Sequence, residues 1–255
     1  MDEEKDKLEQ SMNEVKPGEE KFYDFIEAAA HDLQAPLRKL SVLVERVFTK
    51  NENEFDERAQ EHIRRIEACV DEMRSLINHL LELTQMNVAT ITYEPCDLNM
   101  IADETLDALR EEINHEKFSV HFHSLPVVYG NSFQYKQLFR NLIENAVKFR
   151  KKNIISEIEV LSEVISEVDK TLFNLARNKK YYRIEIRDNG VGFNQANAEK
   201  IFEPFVRLNP KSEYQGNGLG LFICKKIVTN HHGIIYAEAN EKEGARFVVI
   251  LPEIP

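Results

Sequence analysis

The sequence is poor in cysteine and has no long uninterrupted run of apolar residues. Its three cysteines, Cys69, Cys96 and Cys224, are scattered along 255 residues without the spacing of metal ligands. This usage argues against a disulfide framework or a zinc site and favours a reducing compartment. The apolar runs fall well short of the roughly 20 residues that a membrane span needs. We therefore expect no direct membrane insertion and a cytoplasmic location, which includes the cytoplasmic part of a membrane-tethered sensor.

Positive charge is also in short supply. The chain has 33 Lys and Arg against 44 Asp and Glu, a net charge of -11. Such a surface repels a polyanion, so we expect no nucleic-acid partner. The hydrophobic share of 42% and the charged share of 30% are typical of a globular chain with amphipathic helices. The acidic stretch 1–20 is interpreted either as a linker or as the end of an upstream signalling helix.

Two segments carry apolar residues at alternating intervals of four and three positions, which keeps one apolar stripe along a helix. The first stripe is Phe22, Ile26, Ala29, Leu33, Pro36, Leu40, Leu43 and Val47, and the second is His62, Ile66, Cys69, Met73, Leu76, Leu80 and Leu83. Only the short polar stretch 51–54 separates the segments, so we predict an antiparallel hairpin. One hairpin leaves much of its stripe uncovered, whereas two hairpins close a four-helix bundle. The pattern therefore predicts a homodimer.

A second domain is expected after Pro95, where the pattern changes. Helices are predicted at 98–115, 132–150 and 218–231, and strands at 118–123, 156–164, 181–187, 234–239 and 246–251. Helices combined with mostly antiparallel strands are typical of an α+β layered fold. The charged stretch 167–180 is predicted to be a surface excursion between two paired strands. We place the domains at 21–92 and 93–255, with the Glu94-Pro95 region as a hinge.

His31 is the first candidate for chemistry, because the stripe places it on the outer side of its helix. An exposed imidazole can present Nε2 to a visiting phosphate, and the adjacent Asp32 could accept the Nδ1 proton and fix the tautomer. Pro36 removes a helical hydrogen bond and predicts a bend nearby. Taken alone, His31 would be interpreted as a surface histidine without a role, and it is the rest of the chain that favours a catalytic one.

A second candidate lies on the helix predicted at 132–150. Asn141, Asn145 and Lys148 are spaced so that they share one helix face. Amide oxygens suit a magnesium ion that keeps most of its water, and a lysine suits phosphate oxygens. An ordinary polar helix face is the alternative interpretation.

Two glycine-containing segments extend this candidate site. In the segment 188–192, the carboxylate of Asp188 could accept a hydrogen bond from an adenine amino group, and the glycines would let a flat base approach the backbone. The segment 216–220 opens an apolar helix and suits an anion cradle, although no apolar strand precedes it as in a dinucleotide fingerprint. Residues 209–217 suit a lid. Alternatively, 188–192 is simply a tight turn, and the phenylalanines of 201–208 are plain core.

Taken together, these segments resemble the sequence boxes of the sensor histidine kinases. His31-Asp32 with Pro36 resembles the H box, 141–149 the N box, 188–192 the first glycine box, 201–208 the F box, 216–221 the second glycine box and 244–247 the closing glycine segment. They occur in family order over residues 22–251. The resemblance implies a dimerisation and histidine-phosphotransfer domain, followed by an α/β sandwich ATP-binding domain of the Bergerat (GHKL) type.

The resemblance also implies a set of site residues. His31 would be the phosphoacceptor, with Asp32 and Glu144 as further catalytic residues, and Asn141 and Asn145 would hold Mg²⁺. The ATP contacts would come from Asn141, Asn145, Lys148, Phe149, Asp188, Gly190, Gly192, Lys211, Gly216, Gly218, Leu219 and Gly220.

The implied activity is ATP-dependent phosphorylation of His31 and transfer of the phosphoryl group to a separate response-regulator receiver domain. An upstream sensor domain would be a further partner outside this chain. Ala35 stands where the family often has Thr or Asn to position a hydrolytic water, so phosphatase activity should be weak. Two alternatives stay open: a GHKL-type ATPase in which Glu144 activates water, and a scaffold without enzymatic activity.

Overall fold

The computed structural model of the chain describes residues 17–51, 56–85, 92–112, 118–152, 154–208, 217–240 and 243–255. The chain divides into two compact units, Met1–Thr90 and Ile91–Pro255. Within the described ranges, no helix is both long enough and apolar enough to cross a bilayer.

The first unit contains two long helices, α1 (Pro17–Asn51) and α2 (Glu57–Gln85). They pack through a small buried cluster of Ala30, Leu37, Val70 and Ile77, with Leu81 beside it. A polar contact supports the same pairing, since Arg74 donates from Nη2 to Ser41 Oγ at 2.8 Å. The predicted pair of helices is thus confirmed.

The buried line on α1 is displaced by one residue from the predicted stripe. The stripe ran through Ala29 and Pro36, whereas Ala30 and Leu37 are the residues that α2 covers. The stripe residues Leu33, Leu40, Leu43 and Val47 on α1, and Ile66 and Met73 on α2, are between 41% and 56% exposed. A helix of a four-helix bundle contacts two neighbours, so its apolar stripe is wide and spacing alone marks only its middle. The uncovered half is the surface that the expected homodimer would bury.

The second unit combines four helices with two sheets. Its helices are α3 (Leu98–Glu112), α4 (Ser132–Lys148), α5 (Glu167–Leu172) and α6 (Gly220–Asn230), and short 3₁₀ turns lie at Gln195–Asn197 and Lys200–Phe202. Its strands are β1 (Glu94–Asp97), β2 (Phe118–Phe122), β3 (Val127–Gly130), β4 (Ser156–Val164), β5 (Tyr181–Asp188), β6 (Ile234–Asn240) and β7 (Gly244–Pro252).

The larger sheet has five strands in the order β2-β4-β5-β7-β6. Strands β2 and β4 run parallel, and the other neighbours are antiparallel. Alternate residues of β5, such as Ile184 and Ile186, are buried on one face, where α4 contributes Leu142 and Ile143 to the same core. The α+β layered fold expected from the sequence is confirmed.

Strand β1 overturns the predicted hinge. It pairs antiparallel with β3, placing Glu94 opposite Gly130 and Pro95 opposite Tyr129. Pro95 lies in the small sheet of the second unit, where paired backbone has little freedom to bend. The strand is only four residues long, and a proline near its start is as typical of a linker as of an edge strand.

The stretch 167–180 is also more ordered than predicted. Ser166 caps α5 by accepting the N–H of Asp169, and the segment then returns across the sheet. Its Phe173 and Leu175 pack on a cluster of Ile165, Tyr181 and Ile250, and the Phe173 ring stacks on Tyr236 at 5.7 Å between centroids. The excursion therefore covers part of the outer face of the sheet, because that face would otherwise expose apolar side chains.

His231 is buried where α6 ends. Its Nδ1 lies 2.8 Å from the carbonyl oxygen of Ile227, to which it donates, and its Nε2 accepts the N–H of Asn131 at 3.0 Å. Burial lowers the pKa of His231 to about 4, the carbonyl of Ile227 raises it, and the neighbouring His232 lowers it. The imidazole is therefore neutral at physiological pH.

We predict that the second unit loses stability as the pH falls from 6.5 towards 4. In this window the histidine of the unfolded chain binds a proton, whereas the folded His231 stays neutral. Acid therefore lowers the free energy of unfolding by up to about 3 kcal/mol, and this contribution is fully present above pH 6.5. Urea unfolding followed at several pH values measures this dependence. A matched His231→Gln chain should show a shallower slope in that window, and an equal slope in both chains would contradict the assignment.

Candidate functional site

His31 lies on the outer surface of α1, as expected. Its side chain is 61% exposed, although Ala30 beside it is buried against α2. The nearest carboxylate is one turn earlier: Glu27 Oε1 is 4.0 Å from His31 Nε2. Among the described residues no hydrogen bond joins His31 to Asp32, since adjacent helical residues point in different directions. The imidazole is therefore largely exposed, with the Glu27 carboxylate as the neighbour of its Nε2.

Helix α4 presents the predicted asparagines. Asn131 caps its N-terminus by accepting the N–H of Gln134 at 3.0 Å, which sets where the helical repeat begins. Asn141, almost three turns later, is buried, yet within the described residues its Nδ2 has no hydrogen-bond partner. A buried amide without a partner is costly and calls for a ligand. Asn145, one turn further on, is half-buried.

Gly220, the first residue of α6, leaves space beside this amide. A Cβ added to Gly220 would lie 3.6 Å from Asn141 Oδ1, so any larger side chain would occupy the space next to the asparagine. Rotation of the amide exchanges its oxygen and nitrogen, so Asn141 can present an oxygen ligand here. The donor set fits a magnesium ion with water and phosphate oxygens in its remaining positions.

Two positively charged side chains, Lys148 and Arg207, lie near the end of α4. Burial lowers the pKa of Lys148 to about 8, Arg207 lowers it further, and Glu144 opposes the shift. Lys148 Nζ also lies 4.7 Å from the centre of the Phe149 ring. Two cations held close enough to disfavour each other suit a ligand with several negative charges, such as a nucleotide phosphate chain.

Glu144, predicted as a catalytic residue, lies on α4 between Asn141 and Asn145. Its Oε1 is 2.9 Å from Nε of Arg140, one turn earlier. This ion pair fixes the carboxylate along the helix.

Asp188 organises the turn that follows β5. Its Oδ1 accepts the N–H groups of Gly190 at 2.8 Å and Ala245 at 3.2 Å. Burial raises the pKa of Asp188, and the two N–H groups and Lys151 oppose the rise. Among the described residues no hydrogen bond reaches the second carboxylate oxygen, so the adenine contact stays a prediction.

Gly190 brings the Asp188 turn against the end of α4. A Cβ at Gly190 would lie 2.6 Å from the carbonyl oxygen of Phe149, and that same carbonyl accepts the N–H of Val191 at 2.9 Å. Gly192 follows with φ 65, a conformation that favours glycine. Phe149, Gly190 and Gly192 therefore border one small region of the surface.

Gly218 joins the segment 201–208 to α6. Its carbonyl oxygen accepts the N–H of Phe205 at 3.0 Å, and a Cβ at Gly218 would lie 2.7 Å from the carbonyl oxygen of Val206. Its φ of 74 also demands glycine. Leu219 is buried, and its N–H donates to Asn217 Oδ1 at 3.2 Å. Arg207 follows Val206 in the segment 201–208 and lies near enough to Lys148 to lower its pKa.

The described residues thus bring most of the predicted ATP contacts of the second unit into one region. Lys211 and Gly216, and with them most of the predicted lid, lie outside the described residues, as do residues 1–16 and the turn at 52–55. The sequence analysis did not name Arg207 as a site residue. Arg207 belongs to the segment 201–208, in which only the phenylalanines were considered. The sequence analysis also missed Glu27, whose spacing of four from His31 was a usable signal.

Two family models match the chain. Residues 23–88 match the His Kinase A (phospho-acceptor) domain, and residues 130–255 match the histidine kinase-, DNA gyrase B- and HSP90-like ATPase. The first range contains His31, and the second contains the asparagine, aspartate and glycine segments described above.

The chain is also similar to longer proteins and to a solved structure. The chain is 32% identical over 247 residues to Cyanobacterial phytochrome A of a Nostoc species, and 30% identical over 228 residues to the phytochrome-like protein Cph1 of a Synechocystis species. These matches cover 97% and 89% of this chain but only 30% and 29% of the relatives' lengths. The crystal structure of full-length ShkA with AMPPNP shares the fold at a TM-score of 0.63 and 18% identity, over 90% of this chain and 45% of ShkA.

The glycines at the start of α6 give a paired prediction. Gly220→Ala adds a methyl in ordinary contact with Asn141, so the thermal midpoint should stay unchanged while nucleotide affinity falls about tenfold or more. Gly218→Ala combines a clash with a strained φ and should cost about 1–3 kcal/mol of stability. Thermal unfolding and calorimetric titration with ADP separate the two effects. Wild-type affinity in Gly220→Ala would count against this geometry.

Proposed function

This chain belongs to the sensor histidine kinases, and we propose that it transfers the γ-phosphoryl group of ATP to His31 and from there to an aspartate of a separate receiver domain. One observation carries the nucleotide half: among the described residues the Nδ2 of the buried Asn141 has no hydrogen-bond partner, and its Oδ1 lies beside the space at Gly220. The exposed position of His31 in a phospho-acceptor domain supports the other half.

The nucleotide would lie along the C-terminal part of α4. Asn141 and Asn145 would hold magnesium, which when bound neutralises charge on the phosphate oxygens. Lys148 and Arg207 would bind those oxygens as cations, and Asp188 would accept from the adenine amino group. Contact with phosphate would raise the low pKa of Lys148, because a negative neighbour stabilises the ammonium.

In the first step the Nε2 lone pair of His31 would form a bond to the γ-phosphorus as the bond to the ADP oxygen breaks. The imidazole then carries a proton on Nδ1 that must leave, and Asp32 is the predicted acceptor. Glu27, whose Oε1 lies 4.0 Å from Nε2, borders the attacking nitrogen and would have to turn away as the phosphate approaches. In the second step an aspartate of the receiver would take the phosphoryl group and restore the free histidine.

The partners in this proposal follow from the first unit. A second copy of the chain would cover the exposed apolar residues of α1 and α2 in a four-helix bundle. The receiver domain would dock around His31, and a sensor domain would act from outside this chain. A cytoplasmic location suits all three partners.

Incubation with γ-labelled ATP tests the proposal directly. The label should appear on the protein in an acid-labile form and should be lost in His31→Gln, because glutamine has no nucleophilic ring nitrogen. His123→Gln, which removes another exposed histidine, should keep the label. Free phosphate without protein label would instead indicate an ATPase, and neither product would indicate a scaffold.

Ala35 gives a second prediction. Its methyl cannot orient water, so the wild-type chain should dephosphorylate its receiver slowly. Ala35 is exposed, and Ala35→Thr adds a hydroxyl there with little effect on packing. A phosphatase assay with ADP should show at least a severalfold faster release of phosphate in Ala35→Thr. Rapid turnover by the wild-type chain would refute the prediction.

A further inference from the structure

The buried His231 links two helices that carry opposite sides of the nucleotide site. His231 directly follows α6, and its Nδ1 donates to the carbonyl of Ile227 in that helix, whereas its Nε2 accepts the N–H of Asn131 at the start of α4. Asn131 is also the N-cap of α4 through its side chain, so this one residue fixes both the helix start and the imidazole. The ring therefore ties the end of α6 to the beginning of α4.

Aromatic side chains hold the same imidazole in place. The ring of Tyr135, in the first turns of α4, lies 4.3 Å from that of His231 between centroids. Tyr93 meets it edge-on at 5.6 Å, and the Tyr93 hydroxyl donates to the carbonyl oxygen of Asn230 at 2.7 Å. Tyr93 directly precedes β1, so the chain that enters the second unit is attached to this point as well.

Helices α4 and α6 run antiparallel, so a contact at one end controls the alignment at the other. Asn131 is ten residues before Asn141, and His231 is eleven residues after Gly220, about 15 and 16 Å of helix respectively. Between these ends, Cys224 Sγ faces the carbonyl of Leu138 at 4.0 Å. Because helices transmit displacement along their axes with little compression, a slip at His231 would shift Gly220 relative to Asn141.

We propose that His231 is a positioning residue for nucleotide binding: its imidazole sets the alignment of α6 along α4 and thereby holds Gly220 opposite Asn141. The proposal rests on the nucleotide site of the proposed function and adds to it a residue that touches no nucleotide. Tyr93, which precedes β1, stabilises the same end of α6 through its hydroxyl bond to Asn230.

Two substitutions of His231 separate this role from a purely structural one. Asparagine ends where Nδ1 lies and can keep the bond to Ile227, but it loses the bond to Asn131. Glutamine reaches the position of Nε2 and can keep the bond to Asn131, but it loses the one to Ile227. Of these two hydrogen bonds, only the one to Asn131 joins the two helices. His231→Asn should therefore bind MgADP about tenfold more weakly than His231→Gln, at similar thermal midpoints.

The measurement is calorimetric titration of the full chain with MgADP, together with thermal unfolding. The matched control is His232→Asn, an exposed neighbour at φ 54 where asparagine is well tolerated, and it should bind like wild type. Equal affinities in the two His231 variants, or losses that simply follow their stability, would overturn the proposal.

Tyr93→Phe keeps the experiment informative if the His231 variants do not fold. It removes only the hydroxyl bond to Asn230 and should weaken MgADP binding about threefold, whereas Tyr129→Phe on the exposed face of β3 should not. Unchanged binding in Tyr93→Phe would also count against the proposal.

If wild type binds MgADP but His31 is not labelled by ATP, the kinase proposal alone fails. If wild type binds no MgADP, both fail.

Discussion

The close packing of α4 against the start of α6 is the constraint on which the nucleotide site depends. Asn141 is buried there, and the lack of a side chain at Gly220 leaves the space beside the asparagine open, although a Cβ would fit at 3.6 Å from its Oδ1. Gly190 and Gly218 have a stricter requirement, because backbone carbonyls there lie too close for a Cβ. These glycines let three chain segments converge on one helix face, so cations, amides and a carboxylate can act on a single ligand.

The sequence predicted much of this fold, because apolar periodicity and polar caps report the local environment directly. The helix of Asn141 and the antiparallel pairing of β4 with β5 follow from such patterns. The ordered motifs also singled out the segments that meet at the candidate site, because asparagines at helical spacing and glycine turns are uncommon in that combination. Local patterns cannot report how distant segments approach, and Arg207 near Lys148 is a contact of that kind.

The corrections share a physical origin in contacts made between elements. On α1 the buried line passes through Ala30 and Leu37, because the intrachain partner covers only one edge of a wide apolar stripe. The Glu94-Pro95 region is a strand, because β3 supplies hydrogen bonds that a short segment cannot provide for itself. The role of His231 was likewise invisible, since its partner Asn131 is a hundred residues away in sequence.

The central claim is that one nitrogen of His31 receives the γ-phosphoryl group of ATP. The most direct measurement is to digest the ATP-treated chain at neutral pH and to locate the phosphate by peptide mass spectrometry. We expect a single modified peptide with the phosphate on His31. Phosphate on another residue, with His31 unmodified under conditions that preserve phosphohistidine, would contradict it.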